Sequence, residues 1–410
     1  MKFSDFHLNS ELISGLEAMG FEEPTPIQEQ AIPPVMEGKD LIGCAQTGTG
    51  KTAAYLLPML HHLIEGGAHG IQTIIIAPTR ELAVQIDQQL EGFLYFTSLS
   101  SITIYGGKDG AAFDVQKNAL KRGTDIIIAT PGKLISHLNL GYVDTSGLKY
   151  LILDEADRML DMGFYEDIIR IASFLPEKRH TLMFSATMPP KIRQLSKTLL
   201  QDPEEINIAL STPAENILQI VFHVYGNQKL PLIEHLLKAK RVNSLIVFCS
   251  RKTTVKEVGK ILNKLDYNVA AIHSDLEQDE REEVLRQFKS KQLQILVATD
   301  ILSRGIDVEG IELVINYDLP NDPEDYVHRI GRTARADASG AAFTFVEPQD
   351  QYAYSRIEDL IGNDNITIAK LPEYLGEAPA YEPGKKRNGG GRSKGSGGRK
   401  KFAKKRRDKA

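Results

Sequence analysis

The sequence predicts an α/β protein of two tandem parallel-sheet domains with a cleft between them, followed by a disordered basic C-terminal tail. Three observations carry this. Short continuous apolar runs such as "TIIIAP", "DIIIAT", "LKYLILD" and "TLMFSA" alternate with longer amphipathic segments. Unbroken apolar runs indicate strands covered on both faces, hence a mainly parallel sheet flanked by helices. The pattern also occurs twice: "IIIAPTRE" (74–81) is matched by "LIVFCSRK" (245–252), "DIIIATPG" (125–132) by "QILVATDI" (294–301), and "YLILD" (150–154) by "ELVIN" (312–316). Thr79 to Thr130 spans 51 residues and Ser250 to Thr299 spans 49, so the order and the intervals agree. Finally, residues 385–410 hold 13 Lys and Arg against one acid, Asp408, and few apolar residues. Such a segment cannot bury enough surface to fold.

These signals divide the chain into a first domain over 1–210, a linker at the polar "STPAENI" (211–217), a second domain over 218–370, a connecting segment over 371–384, and the tail. The overall charge of −5 conceals a tail of +12 and a body of −17. That asymmetry points to a polyanionic partner for the tail. A hydrophobic content of 42% and a charged content of 25% are those of ordinary globular protein. No apolar run approaches the roughly 20 residues that span a bilayer, and "MKFSDFHLNSEL" has no signal-peptide core. The expected location is the cytoplasm. Two cysteines, Cys44 and Cys249, supply neither a disulfide framework nor a cysteine metal site.

The chemistry begins at "AQTGTGKT" (45–52), which follows the apolar stretch Leu41–Cys44. It fits a phosphate loop, with Ala45 in place of the first Gly. Gly48 and Gly50 permit backbone conformations that aim N–H groups at phosphate oxygens. Lys51 supplies a point charge for the β- and γ-phosphates and Thr52 a hydroxyl for Mg²⁺. Next comes "YLILDEADRML" (150–160), which sets three carboxylates in four residues at the end of a buried run. Ligands of parallel sheets sit beyond the carboxyl ends of strands, where a Mg²⁺–triphosphate relieves this repulsion. Asp154 can hold the metal, Glu155 can take a proton from an attacking water, and Asp157 can report to a neighbouring strand end. "SAT" (185–187) offers the hydroxyls of Ser185 and Thr187 at such an end. The second half lacks a phosphate loop but has "HRIGRTAR" (328–335), whose Arg329, Arg332 and Arg335 recur every three residues. Arg332 and Arg335 are candidates to reach across the cleft to the γ-phosphate, so that hydrolysis requires closure.

Taken together, these residues resemble the bacterial DEAD-box ATP-dependent RNA helicases over about residues 1–370, with the tail outside the match. "FEEPTPIQ" (21–28), with Phe3 upstream, is similar to the family's Q motif. "AQTGTGKT", "DEAD" and "SAT" match its motifs I, II and III. "PTREL" (78–82), Gly106–Gly107, "TPGK" (130–133), "VFCS" (247–250), "QDER" (278–281), "ATDILSRGID" (298–307) and "HRIGRTAR" match the remaining set in order. The resemblance implies two RecA-like domains and a nucleotide site comprising Phe3, Thr25, Gln28, Ala45, Gln46, Thr47, Gly48, Thr49, Gly50, Lys51, Thr52 and Asp307. Gln28 would read adenine, Phe3 would stack on it, and Asp307 would bind the ribose. It implies RNA-backbone contacts from Arg80, Gly107, Thr130, Arg251 and Thr299, and interdomain coupling through Asp157, Ser185, Thr187 and His328. Ala334 stands where the family usually has Gly, Ser303 where it has Ala, and Lys133 where it has Arg. The implied activity is RNA-dependent hydrolysis of ATP with Mg²⁺, coupled to local unwinding of RNA duplexes. The implied partners are RNA, structured or single-stranded and including ribosomal RNA, and ribonucleoprotein components, with no membrane and a monomeric core. An ATP-gated RNA clamp that hardly unwinds is the alternative, and a DNA translocase the more distant one.

Overall fold

A computed structural model describes residues 1–383 except 46–47, 68–69, 107–109, 209–216, 240, 274, 300–310, 321, 334–339 and 363–365, and except the side chains of 110–112, 278 and 324. The described residues form two seven-stranded sheets in which every pairing is parallel. The first contains β1 (Leu41–Cys44), β2 (Thr73–Ile76), β3 (Ser101–Ile104), β4 (Ile126–Ala129), β5 (Tyr150–Leu153), β6 (His180–Ser185) and β7 (Glu204–Asn207). The second contains β8 (Ile217–His223), β9 (Leu245–Cys249), β10 (Val269–Ile272), β11 (Ile295–Thr299), β12 (Leu313–Asn316), β13 (Gly340–Val346) and β14 (Ile366–Ile368).

Across the first sheet the order is β3-β4-β2-β5-β6-β1-β7, and across the second β10-β11-β9-β12-β13-β8-β14. These are one order read twice. The three repeated sequence segments therefore fall on equivalent strands: β2 with β9, β4 with β11, β5 with β12. Their unbroken apolar runs have the expected cause. Ile74, Ile75, Ile76, Leu151, Ile152 and Leu153 are all fully buried, with a hydrophobic core on each face of the sheet. Truncating one such Ile or Leu to Ala typically costs ~2–5 kcal/mol.

The strand order also decides which loops meet. β5, β6 and β1 are neighbours, so the segments after them, "DEAD", "SAT" and the phosphate loop, line up within two strand spacings, roughly 10 Å. β3, β4 and β2 occupy the other half of the sheet, which carries "PTREL" and "TPGK" at its carboxyl edge.

The segment after β14 is more than a connection. Gln228 Nε2 donates to the Leu375 and Glu377 carbonyls at 2.8 and 3.1 Å. Gln351 donates to Ala380 O at 2.7 Å and accepts from Glu382 N at 2.8 Å. The Tyr381 ring stacks on His223 with centroids 4.8 Å apart. Two glutamine amides thus satisfy an otherwise irregular backbone and seat it on the second domain. The expected 371–384 boundary is an integral edge of that domain over the described residues. The linker at 211–217 and the tail lie almost wholly outside the described residues.

Candidate active site

The phosphate loop leads directly into the helix Lys51–Gly66, with Gly50 as its N-cap. Gly48 and Gly50 have φ of 84° and 90°, the left-handed region that glycine alone enters at no steric cost. Gly50 is doubly constrained, because a Cβ there would lie 2.4 Å from Gln28 Nε2. Lys51 is buried and its ammonium donates to Ala45 O at 2.6 Å, folding the loop around the charge. Gln46 and Thr47 lie outside the described residues.

"PTPIQ" forms the start of the helix Pro26–Met36, with Pro at its first position. Gln28 is 1% exposed. Its Oε1 accepts from Thr25 N at 2.9 Å and its Nε2 donates to Gly50 O at 3.1 Å, so it braces the phosphate loop. The Thr25 hydroxyl is buried beside this brace and has no hydrogen-bond partner among the described residues. Phe3 is 5% exposed and packs at an angle against Phe6 and Phe21, with centroids at 6.2 and 6.1 Å, so the ring stands in the wall of the first domain's core.

Each of the three acids in the acidic quartet is held by a different device. Asp154 accepts from Tyr55 OH at 2.9 Å and from Glu155 N at 2.9 Å. Burial, reinforced by the Glu155 charge and opposed by Lys51, pushes its carboxyl up to about 6. Thr52 is also a hydrogen-bond neighbour of Tyr55, so the two candidate metal residues share one tyrosine. Glu155 has φ 50° and ψ 51°, a left-handed conformation in a non-glycine residue. Such strain costs on the order of 1–3 kcal/mol and clusters at functional sites. It turns the carboxylate toward Arg158, whose Nη1 donates to Glu155 Oε2 at 2.9 Å. Burial alone would raise the Glu155 carboxyl. The Arg158 charge and hydrogen bond outweigh burial, Lys51 and Arg332 act in the same direction, and the group is held below its ordinary range.

Asp157 fastens β5 to β6. Its Oδ2 accepts from Ala186 N at 3.1 Å and Thr187 N at 3.0 Å, while Ser185 Oγ donates to Thr187 O at 2.7 Å. The quartet and "SAT" are therefore one hydrogen-bonded unit.

Between the domains lies a cleft of 400 Å³. Lys51, Glu155, Asp157, Arg158 and Thr187 line it from the first domain, and Asp322, Asp325, His328, Arg332 and Arg356 from the second. Arg332 thus faces Glu155 across the cleft. Arg329 does not join it: buried, it donates to Asn316 Oδ1 at 3.0 Å and Asp318 O at 2.8 Å and lies over Phe248. Asp307 and Arg335 lie outside the described residues, as do Ala334 and Ser303.

On the other half of the sheets, Thr130 is the N-cap of the helix Pro131–Leu138 and Arg251 that of the helix Lys252–Leu262. Thr299 ends β11 in register with Cys249 on β9, which places it beside the strand that leads to Arg251. Arg80 opens the helix Arg80–Leu94. Gly107 is outside the described residues. Lys133 has its ammonium 4.7 Å above the Phe113 ring, which itself stacks on His137. A compact cation on an aromatic face replaces the planar fork expected there.

Asp322, Asp325 and Arg356, which line the cleft from the second domain, escaped the sequence reading, as did two residues that hold the acids of the first. Arg158 had a signal, its i,i+3 spacing from Glu155 across a helical turn. Tyr55 had none, since its partner Asp154 is 99 residues away.

Residues 25–195 match the family model "DEAD/DEAH box helicase" and residues 228–337 match "Helicase conserved C-terminal domain". The chain is similar to the ATP-dependent RNA helicase CshA of Listeria monocytogenes, 44% identical over 357 residues covering 87% of this chain and 68% of that one. It is also similar to the ATP-dependent RNA helicase DeaD of Buchnera aphidicola, 42% identical and covering 91% of this chain and 61% of that one. Among solved structures, S. cerevisiae Dbp5 bound to RNA and ADP BeF3 is 30% identical, with a TM-score of 0.79 over 90% of this chain and 95% of that chain. Mss116p bound to ssRNA and AMP-PNP is 28% identical, with a TM-score of 0.80 over 91% of this chain and 80% of that one. Two domain models matched in order, and a relative this similar across two thirds of its length, place the chain in the DEAD/DEAH box helicase family.

Proposed function

We infer that this chain is an RNA-dependent ATPase and ATP-dependent RNA helicase that grips single-stranded RNA across both domains and locally separates short duplexes. The observation that carries the reading is that Lys51 after β1 and Glu155 after β5, with only β6 between their strands, line one cleft with Arg332 from the opposite domain, while Asp154 is buried next to Glu155. Two similar proteins solved with RNA and a nucleotide analogue support it.

Thr52 and Asp154 fit Mg²⁺, because both offer hard oxygen and Asp154 is a buried carboxylate whose charge a cation would stabilise. No cluster of three His, Cys, Asp or Glu among the described residues could hold a metal alone. That suits an ion that keeps waters and shares substrate phosphates. Bound there, Mg²⁺ would neutralise charge on the β- and γ-phosphates. Lys51 leaves Ala45 O for those phosphates. Glu155 accepts the proton of the attacking water, and Arg332, with Arg335, meets the charge that develops on the transferred group. Because Asp157 is bonded to both "SAT" amides, a shift at the acidic quartet is passed to the β6 end. Arg80, Gly107, Thr130, Arg251 and Thr299 take RNA phosphates and sugars. Such contacts are largely blind to sequence, with the 2′-OH separating RNA from DNA. The reading is tested by displacement of a short RNA duplex with ATP: RNA-stimulated ATPase without strand displacement would leave a clamp.

The Gln28 amide keeps one N–H and one oxygen lone pair beyond its two protein bonds, a pair that can read the edge of adenine. Gln28→Ala is expected to raise the KM for ATP about thirtyfold, from loss of two hydrogen bonds near 1 kcal/mol each, and to narrow the preference for ATP over GTP. Steady-state kinetics with both nucleotides decide: equal increases for both would make Gln28 a loop brace alone.

The basic segment 385–410 suits electrostatic tethering of a neighbouring RNA helix, since it has Lys and Arg in excess and only Phe402 to stack. Its removal is expected to raise the RNA concentration for half-maximal ATPase several-fold at low salt and to flatten the salt dependence. Unchanged half-saturation and salt slope would assign the charge to another partner.

A further inference from the structure

Arg80 is held on two sides. Its helix start is fixed by Thr79, whose hydroxyl accepts from Leu82 N at 3.3 Å. The guanidinium carbon lies 4.3 Å from the centroid of the Tyr105 ring, so one face of the plane rests on an aromatic. From the second domain, Glu282 on the helix Gln278–Lys289 brings Oε1 to 3.1 Å from Arg80 Nε. The contact is an ion pair by distance, with an angle outside that of a directional hydrogen bond. It uses the Nε edge, and neither terminal nitrogen of Arg80 has a partner among the described residues. The terminal fork, with two parallel N–H vectors, is an edge that suits bidentate contact with a phosphate.

We propose that Glu282 is a positioning residue for RNA, presenting the fork of Arg80 to a backbone phosphate and making that presentation depend on the two domains being together. The proposal rests on the reading of Arg80 as an RNA contact. Its logic is preorganisation. A free arginine loses rotamer entropy when it meets a phosphate, and one already stacked and edge-paired loses less. Because Arg80 and Glu282 belong to different domains, the pair forms only when the helices that carry them are side by side. RNA binding and closure then favour each other, and the coupling is reciprocal. Glu282 therefore links the RNA face to closure on the side away from the nucleotide, where Arg332 faces Glu155. A carboxylate beside an RNA site also has an opposite reading, as a phosphate mimic that excludes RNA. The Nε-edge geometry favours support, since a mimic would occupy the fork itself.

Glu282 is 45% exposed and Arg80 22%, so the pair is a partly solvated one and its effect is modest, about threefold in RNA affinity. The test uses the full chain and measures the RNA concentration for half-maximal ATPase in the wild type, Glu282→Gln, Arg80→Ala and the double variant, with the unfolding midpoint as a check on folding. Glu282→Gln is expected to raise half-saturating RNA about threefold in the wild-type background and not at all in the Arg80→Ala background. A merely structural role would move both backgrounds equally, and that result overturns the proposal. So does a fall in half-saturating RNA in Glu282→Gln, which would make Glu282 a competitor of RNA. If Arg80→Ala raises half-saturating RNA while Glu282→Gln changes nothing, only the role of Glu282 is lost. If Arg80→Ala itself leaves half-saturation unchanged, the RNA reading of Arg80 fails first.

Discussion

Glu155→Gln is expected to lower the turnover of RNA-stimulated ATP hydrolysis by about 10²–10⁴-fold, the range for loss of a positioned general base, while ATP and RNA still bind. The amide is isosteric, keeps an acceptor for Arg158 Nη1, and can occupy the same left-handed backbone, but it cannot take a proton from water at neutral pH. Glu155→Ala separates chemistry from structure. It leaves Arg158, whose side chain is 5% exposed, without the carboxylate 2.9 Å away, and breaking a buried pair by removing one partner costs ~3–5 kcal/mol. The Ala variant should therefore lose both turnover and thermal stability, and the Gln variant turnover alone. Single-turnover hydrolysis beside a melting curve distinguishes them. Wild-type-like hydrolysis in Glu155→Gln would remove the residue from the mechanism. Asp154→Asn should differ in kind, weakening Mg²⁺-ATP affinity, because the amide oxygen carries no charge to offer a cation.

Arg332→Ala is expected to reduce RNA-stimulated turnover by roughly 10³–10⁵-fold, the span for an arginine that meets the transferred phosphoryl group, with ATP affinity of the full chain changed far less. The reason is placement. Arg332 stands on the second domain and lines the cleft opposite Glu155 and Lys51, so it reaches the reacting group only across the interface. Arg335→Ala is expected to behave alike. A loss below about threefold in both would mean that other groups supply the charge, or that Ala334, between them in sequence, has re-aimed the segment. Lys is not a rescue, since an ammonium lacks the planar fork.

Much of the site was legible because its signals are local. A strand announces itself through its own apolar run, a phosphate loop through glycines that must take positive φ, and an acidic quartet through repulsion among neighbours that something has to offset. The repeat was legible for the same reason, and the structure puts β2 and β9, β4 and β11, and β5 and β12 at equivalent sheet positions. Burial of Phe3, the brace that Gln28 makes to Gly50, and the inward turn of Arg329 were not legible. Each depends on a neighbour supplied by a distant segment. The Lys229 ammonium shows the limit: it is 3% exposed and paired with both Asp318 at 2.9 Å and Glu347 at 2.5 Å, yet nothing in the residues around Lys229 announces either acid.

By itself, then, the amino-acid order determined the two parallel-sheet domains, the phosphate loop, the acidic quartet and the segment carrying Arg332, because periodicity and short spacings act through residues a few positions apart. Tertiary structure alone decided that β5, β6 and β1 stand side by side, that Asp157 locks the "SAT" amides, that Tyr55 holds Asp154, and that Glu282 meets Arg80 across the domains. Those contacts follow from the order in which strands are laid into a sheet and from how two sheets face each other. Both are set by the sum of many buried contacts between segments far apart in sequence, and no single window of the chain contains that sum.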